Sequence, residues 1–393
     1  MEYSIFWCRL NKYYLNQWLD YFRNHPFADK SYLITTCEVT DRAKQKRMKL
    51  AKKKLAEWYH LYITGCGTLQ RGEVISPELF YNLYPEFLPF SDSITLLWEH
   101  PKDTSSFTTT KENVYTKKFI VIQNGCDNYC SFCLTVQKRG KHMSRLREDI
   151  VQEINEFVQS WGKEVVLTWV NIAAWWCSNS TKPEESKFTE LLHYILDNTT
   201  IPRIRLSSLW PEYLDDEFFK VIEDPRILPH FHLSIQSFSD AVLERMKRNY
   251  TAKTLDNVLT KLRAVKTAVP VSVGADIIIG FPSETDKKFK ETLQWIQKYK
   301  INKVHSFPFS AHQIWETIPA SLLPNQVDTV TKKRREKELK KIADQLAEEF
   351  HQLNIWIEHS VLVEGKWSGR TENYLKVEVD DTHKRGEIFS VTL

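Results

Sequence analysis

Three cysteines in one short run carry the clearest chemistry in this chain of 393 residues. Cys126, Cys130 and Cys133 follow a C-x3-C-x2-C spacing, and the aromatic Phe132 directly precedes the last of them. Three thiolates at this spacing can hold three irons of one cubane and leave its fourth iron without a protein ligand. An open iron can bind and reduce a small molecule, whereas a cluster closed by four cysteines serves electron transfer.

A zinc knuckle, or three buried thiols with no metal, is the alternative interpretation of the same residues. Structural zinc usually takes four ligands, arranged in C-x2-C pairs. The sequence has no fourth Cys or His at a suitable spacing beyond Cys133. The triplet therefore favours an iron–sulfur cluster.

A second group of cysteines is dispersed along the first part of the chain. Cys8, Cys37 and Cys66 each stand at the carboxyl end of a predicted strand. The carboxyl ends of parallel strands gather on one edge of a sheet, where ligands bind. One buried cysteine is unremarkable, but three at equivalent strand ends predict a second cubane, again with one open iron.

The elements that position these cysteines read as alternating strands and helices. In the first part, strands are expected at residues 4–8, 31–36 and 60–64, with helices at 13–22 and 40–58. This β-α-β-α-β order predicts a small parallel sheet. Residues 70–115 are rich in Pro, Ser and Thr and are expected to form an irregular connection.

A second α/β series starts near residue 117 and contains six predicted strands. They are expected at residues 119–123, 165–170, 204–206, 230–235, 271–279 and 303–307. Amphipathic helices are predicted between them, as at residues 147–161 and 251–268. Six βα units suit an open (β/α)6 half-barrel better than a closed eight-fold barrel. A long charged helix is expected at 328–351, and period-two alternation from 357 to 393 predicts a small β-barrel.

Composition and charge limit the classes of function. The chain has 42% hydrophobic and 13% aromatic residues, which is typical of a globular protein. Its first residues lack a secretory pattern and no apolar run approaches spanning length, so we expect a cytoplasmic protein without membrane association. The 7 cysteines, an odd number, suit ligands better than disulfides.

Basic residues are unevenly distributed, although the formal net charge is only +4. Between Arg42 and Lys54 eight residues are Lys or Arg and none is acidic. Such a run is either one solvated helix face or a surface for nucleic-acid phosphates. Arg139, Lys141, Arg145 and Arg147 leave the same two interpretations open.

Taken together, the two cysteine sets, their linker and the β-rich tail resemble the radical S-adenosylmethionine (radical-SAM) methylthiotransferases over nearly the whole chain. Several segments resemble that family's motifs. They are Thr35-Thr36-Cys37-Glu38-Val39-Thr40, Ile63-Thr64-Gly65-Cys66, Leu167-Thr168-Trp169-Val170-Asn171-Ile172, Arg205-Leu206-Ser207-Ser208, Gln236-Ser237-Phe238-Ser239-Asp240, Asp276-Ile277-Ile278-Ile279-Gly280-Phe281-Pro282-Ser283-Glu284-Thr285 and Thr371-Glu372-Asn373-Tyr374.

The resemblance implies an α/β fold in three parts. Residues 1–100 would form a small parallel α/β domain holding an auxiliary cluster, and residues 112–350 an open (β/α)6 radical-SAM half-barrel. Residues 355–393 would form a short β-barrel resembling the TRAM RNA-binding domain.

The resemblance also implies the cofactors and the reaction. Cys126, Cys130 and Cys133 would ligate a [4Fe–4S] cluster that binds S-adenosylmethionine and cleaves it to a 5′-deoxyadenosyl radical, with Phe132 near the adenine. Cys8, Cys37 and Cys66 would ligate a second [4Fe–4S] cluster that carries or donates sulfur. The radical would abstract the C2 hydrogen of an adenine. Sulfur would be inserted there, and a second S-adenosylmethionine would supply the methyl group.

Several polar residues at strand ends are candidates for holding S-adenosylmethionine. Asp276, Glu284, Gln236, Asn171 and Thr168 could bind its ribose or its amino group. Gly280 would permit close backbone approach. The same residue types are also common helix caps and loop residues, and the sequence leaves both interpretations open.

The chain departs from the family pattern at positions where the family has glycine. Trp7, Trp169 and Phe238 stand at such positions, and the chain has only 11 glycines against 13 tryptophans. Either these side chains crowd the cofactor sites, or a codon is read differently in the source genome, which we treat as a hypothesis. Cys177 has no counterpart in the pattern and is expected to be structural.

Within the family, the segments around Cys37 and Thr371 indicate the branch that modifies N6-threonylcarbamoyladenosine in tRNA. The expected partners are the anticodon stem-loop of tRNA, an external electron donor and a sulfur source. One alternative is methylthiolation of N6-isopentenyladenosine. The other is a non-catalytic iron–sulfur relative that binds tRNA.

Overall fold

The structure is a computed structural model that describes residues 1–5, 9–38, 40–98, 115–179, 181–312 and 317–393. Trp7 and Cys8 lie outside the described residues, so the predicted role of Cys8 stays a prediction.

Strands and helices alternate along most of the chain. The strands are β1 (Glu2–Ile5), β2 (Ser31–Thr36), β3 (His60–Gly65), β4 (Leu69–Gln70), β5 (Glu73–Val74), β6 (Ile94–Leu96), β7 (Lys118–Val121), β8 (Gln123–Asn124), β9 (Met143–Ser144), β10 (Glu164–Thr168), β11 (Arg203–Leu206), β12 (His230–Gln236), β13 (Ser272–Ile279), β14 (Lys303–Pro308), β15 (Glu358–Gly365), β16 (Ser368–Thr371), β17 (Lys376–Val377) and β18 (Ile388–Thr392). The helices are α1 (Arg9–Asn24), α2 (Asp41–Ala56), α3 (Pro77–Leu83), α4 (Thr135–Arg139), α5 (Arg147–Gln159), α6 (Phe188–Asn198), α7 (Asp216–Val221), α8 (Asp240–Arg245), α9 (Ala252–Ala264), α10 (Asp286–Lys298) and α11 (Thr329–Gln352).

The first part of the chain forms a parallel sheet in the order β1-β2-β3-β6. Successive residues of β2 point to opposite faces, so helices cover the sheet on both sides. Leu33 packs with Leu15 and Trp18 of α1, while Ile34 packs with Ala51 and Leu55 of α2. Because β2 and β3 run parallel, their carboxyl ends lie at the same edge of the sheet.

The expectation of an irregular segment at residues 70–115 is wrong for the part that the structure describes. Strands β4 and β5 form a short antiparallel pair, α3 follows, and β6 joins the sheet beside β3. Strand β6 has only three residues. A strand this short shows no recognisable alternation, because period two needs several residues to appear.

The central part contains six parallel strands in two hydrogen-bonded groups, β7-β10-β11 and β12-β13-β14. Leu209, just after β11, joins the groups. Its N–H donates to the carbonyl of His232 at 2.9 Å, and its carbonyl accepts from Ser234 N–H at 2.9 Å. Among the described residues β7 and β14 are not paired, so the curved sheet is open on one side.

The tail forms an antiparallel sheet of four strands in the order β17-β16-β15-β18. Glu164 of β10 anchors it through two arginines, accepting from Arg203 at 2.9 Å and Arg205 at 2.8 Å. Their remaining nitrogens donate to the carbonyls of Ser360 at 3.1 Å and Glu372 at 3.0 Å. Burial alone would raise the pKa of Glu164, but the two guanidinium groups outweigh it and hold that pKa well below its ordinary value.

None of the helices in the described part of the chain combines the length and the apolar character that crossing a bilayer requires.

Candidate active site

Cysteines from both sets line one cavity. It has a volume of about 410 Å³ and lies between the carboxyl edge of the first sheet and the open side of the barrel. Cys37 and Cys66 line it from the first sheet, and Cys133 lines it from the loop before α4. The predicted gathering of strand ends therefore holds for the two dispersed cysteines that the structure describes.

The loop of residues 125–133 is held in a tight course by its backbone. Gly125 has φ +68°, and a Cβ there would lie 1.7 Å from the carbonyl oxygen of Lys141, so only glycine fits. The N–H of Cys126 donates to the carbonyl of Gly140 at 3.1 Å. Ser131 is anchored from the other side, since its hydroxyl donates to the carbonyl of Arg245 at 2.7 Å.

The three thiols of this loop are in a largely buried environment, with Cys126 and Cys130 buried and Cys133 half-buried. Burial raises the pKa of Cys126 to about 12, and the neighbouring Cys133 and Cys130 thiols act in the same direction. Arg248 is buried and donates from Nη1 to Cys130 Sγ at 3.4 Å. The N–H of Thr135 donates to Cys133 Sγ at 3.3 Å. These donors suit thiolates, which are the form that ligates metal.

The second set is formed where two paired strands end together. Thr36 of β2 pairs with Gly65 of β3, so the residues that follow, Cys37 and Cys66, leave the sheet side by side. Strand β1 pairs with β2 up to Ile5. Cys66 begins a single turn of 3-10 helix, and its Sγ accepts from Nε of Arg139 at 3.3 Å.

Glu38, next to Cys37, is a buried acid enclosed by cations. It contacts Arg47 at 2.6 Å and Lys44 at 2.9 Å. Burial alone would raise the pKa of Glu38, but the two cations outweigh it and lower that pKa. The two basic side chains thus fix the segment after β2 to helix α2.

Helix α4 connects the two cysteine sets. It begins two residues after Cys133 and ends at Arg139, the residue that contacts Cys66. Its last carbonyls accept from the turn between β4 and β5: Gln137 from Arg71 N–H at 2.7 Å and Lys138 from Gly72 N–H at 2.8 Å. The loop that carries one cysteine set is thereby attached to the β4–β5 hairpin, which begins three residues after Cys66.

On the barrel side, the cavity wall contains a histidine–aspartate–histidine cluster. Asp276 of β13 contacts His232 Nε2 at 2.9 Å and His305 Nδ1 at 3.5 Å. Burial alone would raise the pKa of Asp276, but the two imidazoles lower it well below its ordinary value. A Cβ at Gly274 would lie 2.4 Å from His232 Nδ1, so this glycine makes room for the imidazole beside Asp276.

The sequence analysis did not assign a role to His232 or His305. A signal was present, because residues at equal heights on neighbouring parallel strands share a face. Asp276 pairs with His305 in the β13–β14 register.

The predicted cofactor residues divide into two groups. Phe132, Thr168, Gln236 and Asp276 line the cavity. Asn171 is buried and does not line the cavity. Within the described residues, neither its Oδ1 nor its Nδ2 has a hydrogen-bond partner. An unsatisfied buried amide is costly, so Asn171 fits a polar ligand that the protein does not itself supply.

Gly280 and Glu284 do not line the cavity, and both make contacts within the protein instead. The N–H of Gly280 donates to Glu284 Oε2 at 2.6 Å, and the same carboxylate pairs with Arg335 of α11 at 2.8 Å. A Cβ at Gly280 would lie 2.4 Å from the side chain of Lys332. The absence of a side chain at Gly280 lets helix α11 pack closely against it. The hydrogen bond between Gly280 and Glu284 stabilises the turn between β13 and α10.

Trp169 and Phe238 do not disturb the backbone. Neither has a positive φ, so these positions accept a side chain. Trp169 lies against the cavity and donates from Nε1 to the carbonyl of Gly125 at 2.7 Å, which supports the cysteine loop. Phe238 stacks on Trp295 in the core. Cys177 is buried, and burial raises its pKa to about 12, as suits a structural thiol.

Further buried polar groups near the cysteine loop lack partners among the described residues. They are Ser207 Oγ and both carboxylate oxygens of Glu212. Burial raises the pKa of Glu212, with Arg248 opposing it. A thiol triplet beside an unsatisfied amide, hydroxyl and carboxyl group fits a metal cluster with a small zwitterionic ligand better than it fits a closed four-ligand metal site.

Comparison with known proteins agrees with this arrangement. A family model described as the radical SAM superfamily matches residues 120–296, which include the cysteine triplet, four of the six barrel strands and the end of β7. A threonylcarbamoyladenosine tRNA methylthiotransferase, MtaB, of Rickettsia prowazekii is 32% identical over 411 residues, covering 100% of this chain and 94% of that protein.

Two further relatives are also similar to this chain over most of its length. MtaB of Thermotoga maritima is 30% identical and covers 98% of this chain and 92% of that protein. A tRNA-2-methylthio-N(6)-dimethylallyladenosine synthase of Buchnera aphidicola is 28% identical and covers 88% of this chain and 85% of that protein. The fold and site are those of the radical-SAM class, and the chain belongs to the radical-SAM tRNA methylthiotransferase family.

Proposed function

We propose that this protein is a tRNA methylthiotransferase that adds a methylthio group to C2 of N6-threonylcarbamoyladenosine beside the anticodon. The observation that carries the proposal is the position of Cys37, Cys66 and Cys133 around one cavity. Sulfur insertion at an unactivated carbon requires the radical source and the sulfur donor to reach the same atom, and this cavity gives both sites access to one substrate.

Each cysteine set has a proposed cofactor. Cys126, Cys130 and Cys133 hold a [4Fe–4S] cluster that binds S-adenosylmethionine, and Cys37 and Cys66, together with Cys8, hold an auxiliary [4Fe–4S] cluster. When bound, these groups supply hydrogen abstraction at C2 of the adenine and the sulfur and methyl group that replace that hydrogen.

The chain's own residues hold and shield these groups. Arg248 at Cys130 and Arg139 at Cys66 place positive charge beside the ligating sulfurs. Asn171 and Glu212 have buried polar atoms that would suit the amino-acid part of S-adenosylmethionine, and Phe132 and Thr168 line the cavity where they would contact the rest of that cofactor. The N-terminal sheet covers the open side of the barrel, which excludes water from the reaction.

The charge of the cavity wall supports the threonylcarbamoyl substrate. That group carries a carboxylate, whereas an isopentenyl group is uncharged and apolar. Three cationic side chains, Arg9, Lys138 and Arg139, line the cavity together with the imidazoles of His232, His305 and His312. The acidic side chains of the lining are Glu38 and Asp276. Glu38 is already offset by Lys44 and Arg47, so the wall favours an anionic substituent.

The arrangement of domains is part of the proposal. Residues 1–100 form the part that holds the auxiliary cluster, residues 112–350 the radical-SAM part, and residues 355–393 a TRAM-like tail that binds tRNA. The reaction needs an external electron donor and a sulfur source, and its tRNA substrate places it in the cytoplasm.

A nucleoside digest of tRNA from host cells lacking the gene tests the substrate. Loss of the methylthiolated threonylcarbamoyl nucleoside supports the proposal, and loss of only the methylthio-isopentenyl nucleoside refutes it. Anaerobic reconstitution of the purified chain separates enzyme from binder. Two cubanes with 5′-deoxyadenosine formation indicate an enzyme, whereas clusters without cleavage of S-adenosylmethionine indicate a non-catalytic relative.

A further inference from the structure

Helix α2 contains eight basic residues between Arg42 and Lys54, but these residues do not share one role. Thr40 caps the helix, its hydroxyl accepting from Ala43 N–H at 3.2 Å. At 3.6 residues per turn, the positions divide into an inner and an outer face. The basic side chains of the inner face are buried, and those of the outer face are exposed.

The inner face is structural. Lys44 and Arg47 are buried with Glu38, and Ala51 and Leu55 are packed in the core beside them. These four residues span an arc of about 80° on the helix. Because Lys44 and Arg47 both contact Glu38, the positive charges of the inner face are already paired.

The outer face is a continuous stripe of cations, which we call the α2 stripe. Arg42, Lys46, Lys49 and Lys53 are all exposed and follow one another at intervals of four, three and four residues. They fall within an arc of about 60° and extend over about 16 Å of helix. Among the described residues, Arg42, Lys46 and Lys49 contact no carboxylate, and Lys53 has only Glu57 at 3.8 Å.

The stripe starts at the mouth of the cavity. The cap residue Thr40 is itself part of the cavity wall. Asp41, the first residue of the helix, is tied to Ser310 on the opposite wall, whose hydroxyl donates to Asp41 Oδ2 at 2.7 Å. Arg42 follows directly, and the remaining cations lead away from the opening.

We propose that the α2 stripe binds consecutive phosphates of the anticodon stem of tRNA while the modified base occupies the cavity. This inference rests on the proposed function. A row of unpaired cations that leads out of a base-sized cavity suits a nucleic-acid backbone. A bilayer is a poorer partner, because the polar Gln45 and Lys52 lie along one side of the stripe and none of the large apolar side chains described in α2 is exposed.

The test compares two variants of the full chain with the same loss of charge. One is R42Q/K46Q/K49Q, and the control is K287Q/K290Q/K337Q, which removes three exposed lysines from α10 and α11. Dissociation constants for unmethylthiolated tRNA are measured over a series of salt concentrations. In the stripe variant, the slope of the logarithm of affinity against the logarithm of salt should fall by about 2–3, since each lost phosphate contact removes about 0.9.

The control variant should keep the wild-type slope. Cleavage of S-adenosylmethionine in the absence of tRNA should be unchanged in both variants. A stripe variant whose slope and affinity match the control overturns the inference. If the wild-type chain binds no tRNA at all, the proposed function fails instead, so the two failures are distinguishable.

A second and independent observation concerns tryptophan. Trp58, Trp161, Trp176, Trp356 and Trp367 have φ between +64° and +71°. They are five of the 11 tryptophans in the described residues, and their exposed fractions run from 42% to 87%. A bulky side chain in the left-handed region is a genuine outlier, because its Cβ approaches the carbonyl oxygen.

Two of these tryptophans occupy positions that helices normally give to glycine. After α2, Trp58 N–H donates to Leu55 and Tyr59 N–H to Lys54, at 3.0 and 3.1 Å. After α5, Trp161 N–H donates to Val158 and Gly162 N–H to Phe157, both at 2.9 Å. Each pair of bonds is a Schellman motif, whose left-handed residue is usually glycine.

We infer that these five positions carry glycine in the native polypeptide, because one codon translated here as tryptophan is read as glycine in the source cell. The low glycine count of 11 agrees with this inference. Trp18 in α1 and Trp295 in α10 have no positive φ and serve as internal controls.

Peptide sequencing by mass spectrometry of the protein from its own organism tests the inference. Glycine at positions 58 and 161, with tryptophan at 18 and 295, supports it, and tryptophan at 58 and 161 overturns it. The gene gives a second test. One codon shared by the five left-handed positions and absent from positions 18 and 295 supports the inference, whereas the ordinary tryptophan codon UGG at all seven overturns it.

Discussion

Nε of Arg139 lies 3.3 Å from Cys66 Sγ, although 73 residues separate them in the chain. Arg139 closes the helix that begins beside Cys133, so the element that carries one cysteine set places its charge on the other. If Cys66 ligates the proposed auxiliary cluster, the reduction potential of that cluster should depend on this arginine.

Replacing Arg139 by Gln should make the reduction potential of the auxiliary cluster more negative, because a nearby cation favours the reduced, more anionic state. The measurement is a potentiometric titration followed by electron paramagnetic resonance. It is made in a C126A/C130A/C133A background, so that the auxiliary cluster alone remains. R139K, which keeps the charge, should stay closer to the parent. An unchanged potential in R139Q would contradict the assignment.

Glu164 should be essential for holding the C-terminal sheet. E164Q removes the charge that Arg203 and Arg205 share and leaves both guanidinium groups in a buried site, which should cost about 3–5 kcal/mol of unfolding free energy. The measurement is chemical unfolding at neutral pH. E348Q, a matched change at an exposed position of α11, should alter stability by less than about 0.5 kcal/mol.

The same residue gives a pH dependence with a definite sign. The pKa of Glu164 is depressed in the folded chain, so its stabilisation is present above the ordinary carboxyl value of 4.5 and is lost as pH falls below it. The difference in stability between wild type and E164Q should therefore shrink in acid. A constant difference between pH 7 and pH 3 would show that the carboxylate charge is not the cause.

Much of the fold follows from local pattern. The bounds predicted for β2, residues 31–36, are those observed, because a short run of aromatic, aliphatic and β-branched residues is typical of a buried strand. The antiparallel tail also follows from period two. Helix α2 ends at Ala56 rather than at Trp58, since Trp58 adopts the left-handed conformation that stops a helix, and no propensity predicts this for tryptophan.

Local sequence pattern predicted only part of the candidate site. Strand ends predicted Cys37 and Cys66 at one sheet edge, and spacing predicted Cys133 as part of a separate triplet. That the two groups line one cavity is seen only in the structure. The contact of Arg139 with Cys66 joins distant parts of the chain, so no local pattern contains it. The pairing of Glu284 with Arg335 of α11, 51 residues further on, is likewise absent from any local pattern.

Glycine at the left-handed positions should stabilise the chain. W58G and W161G each relieve backbone strain of about 1–2 kcal/mol, and the greater freedom of glycine in the unfolded chain offsets roughly 0.5–1 kcal/mol of it. A net gain near 1 kcal/mol for each is expected from urea unfolding. W295G should instead destabilise, because Trp295 lies within helix α10 and stacks on Phe238. Destabilisation by W58G and W161G as well would contradict the strain.

Iron content should separate the two cysteine sets. The reconstituted wild-type chain should hold about eight irons, and both C126A/C130A/C133A and C37A/C66A should hold about four, since each change removes the ligands of one cubane. The first variant should lose cleavage of S-adenosylmethionine, while the second should retain cleavage and lose methylthiolation. C177S should keep all the iron, because Cys177 is buried in the core away from the cavity. Retention of about eight irons by C37A/C66A would remove the auxiliary site from these residues and leave only the radical-SAM cluster assigned.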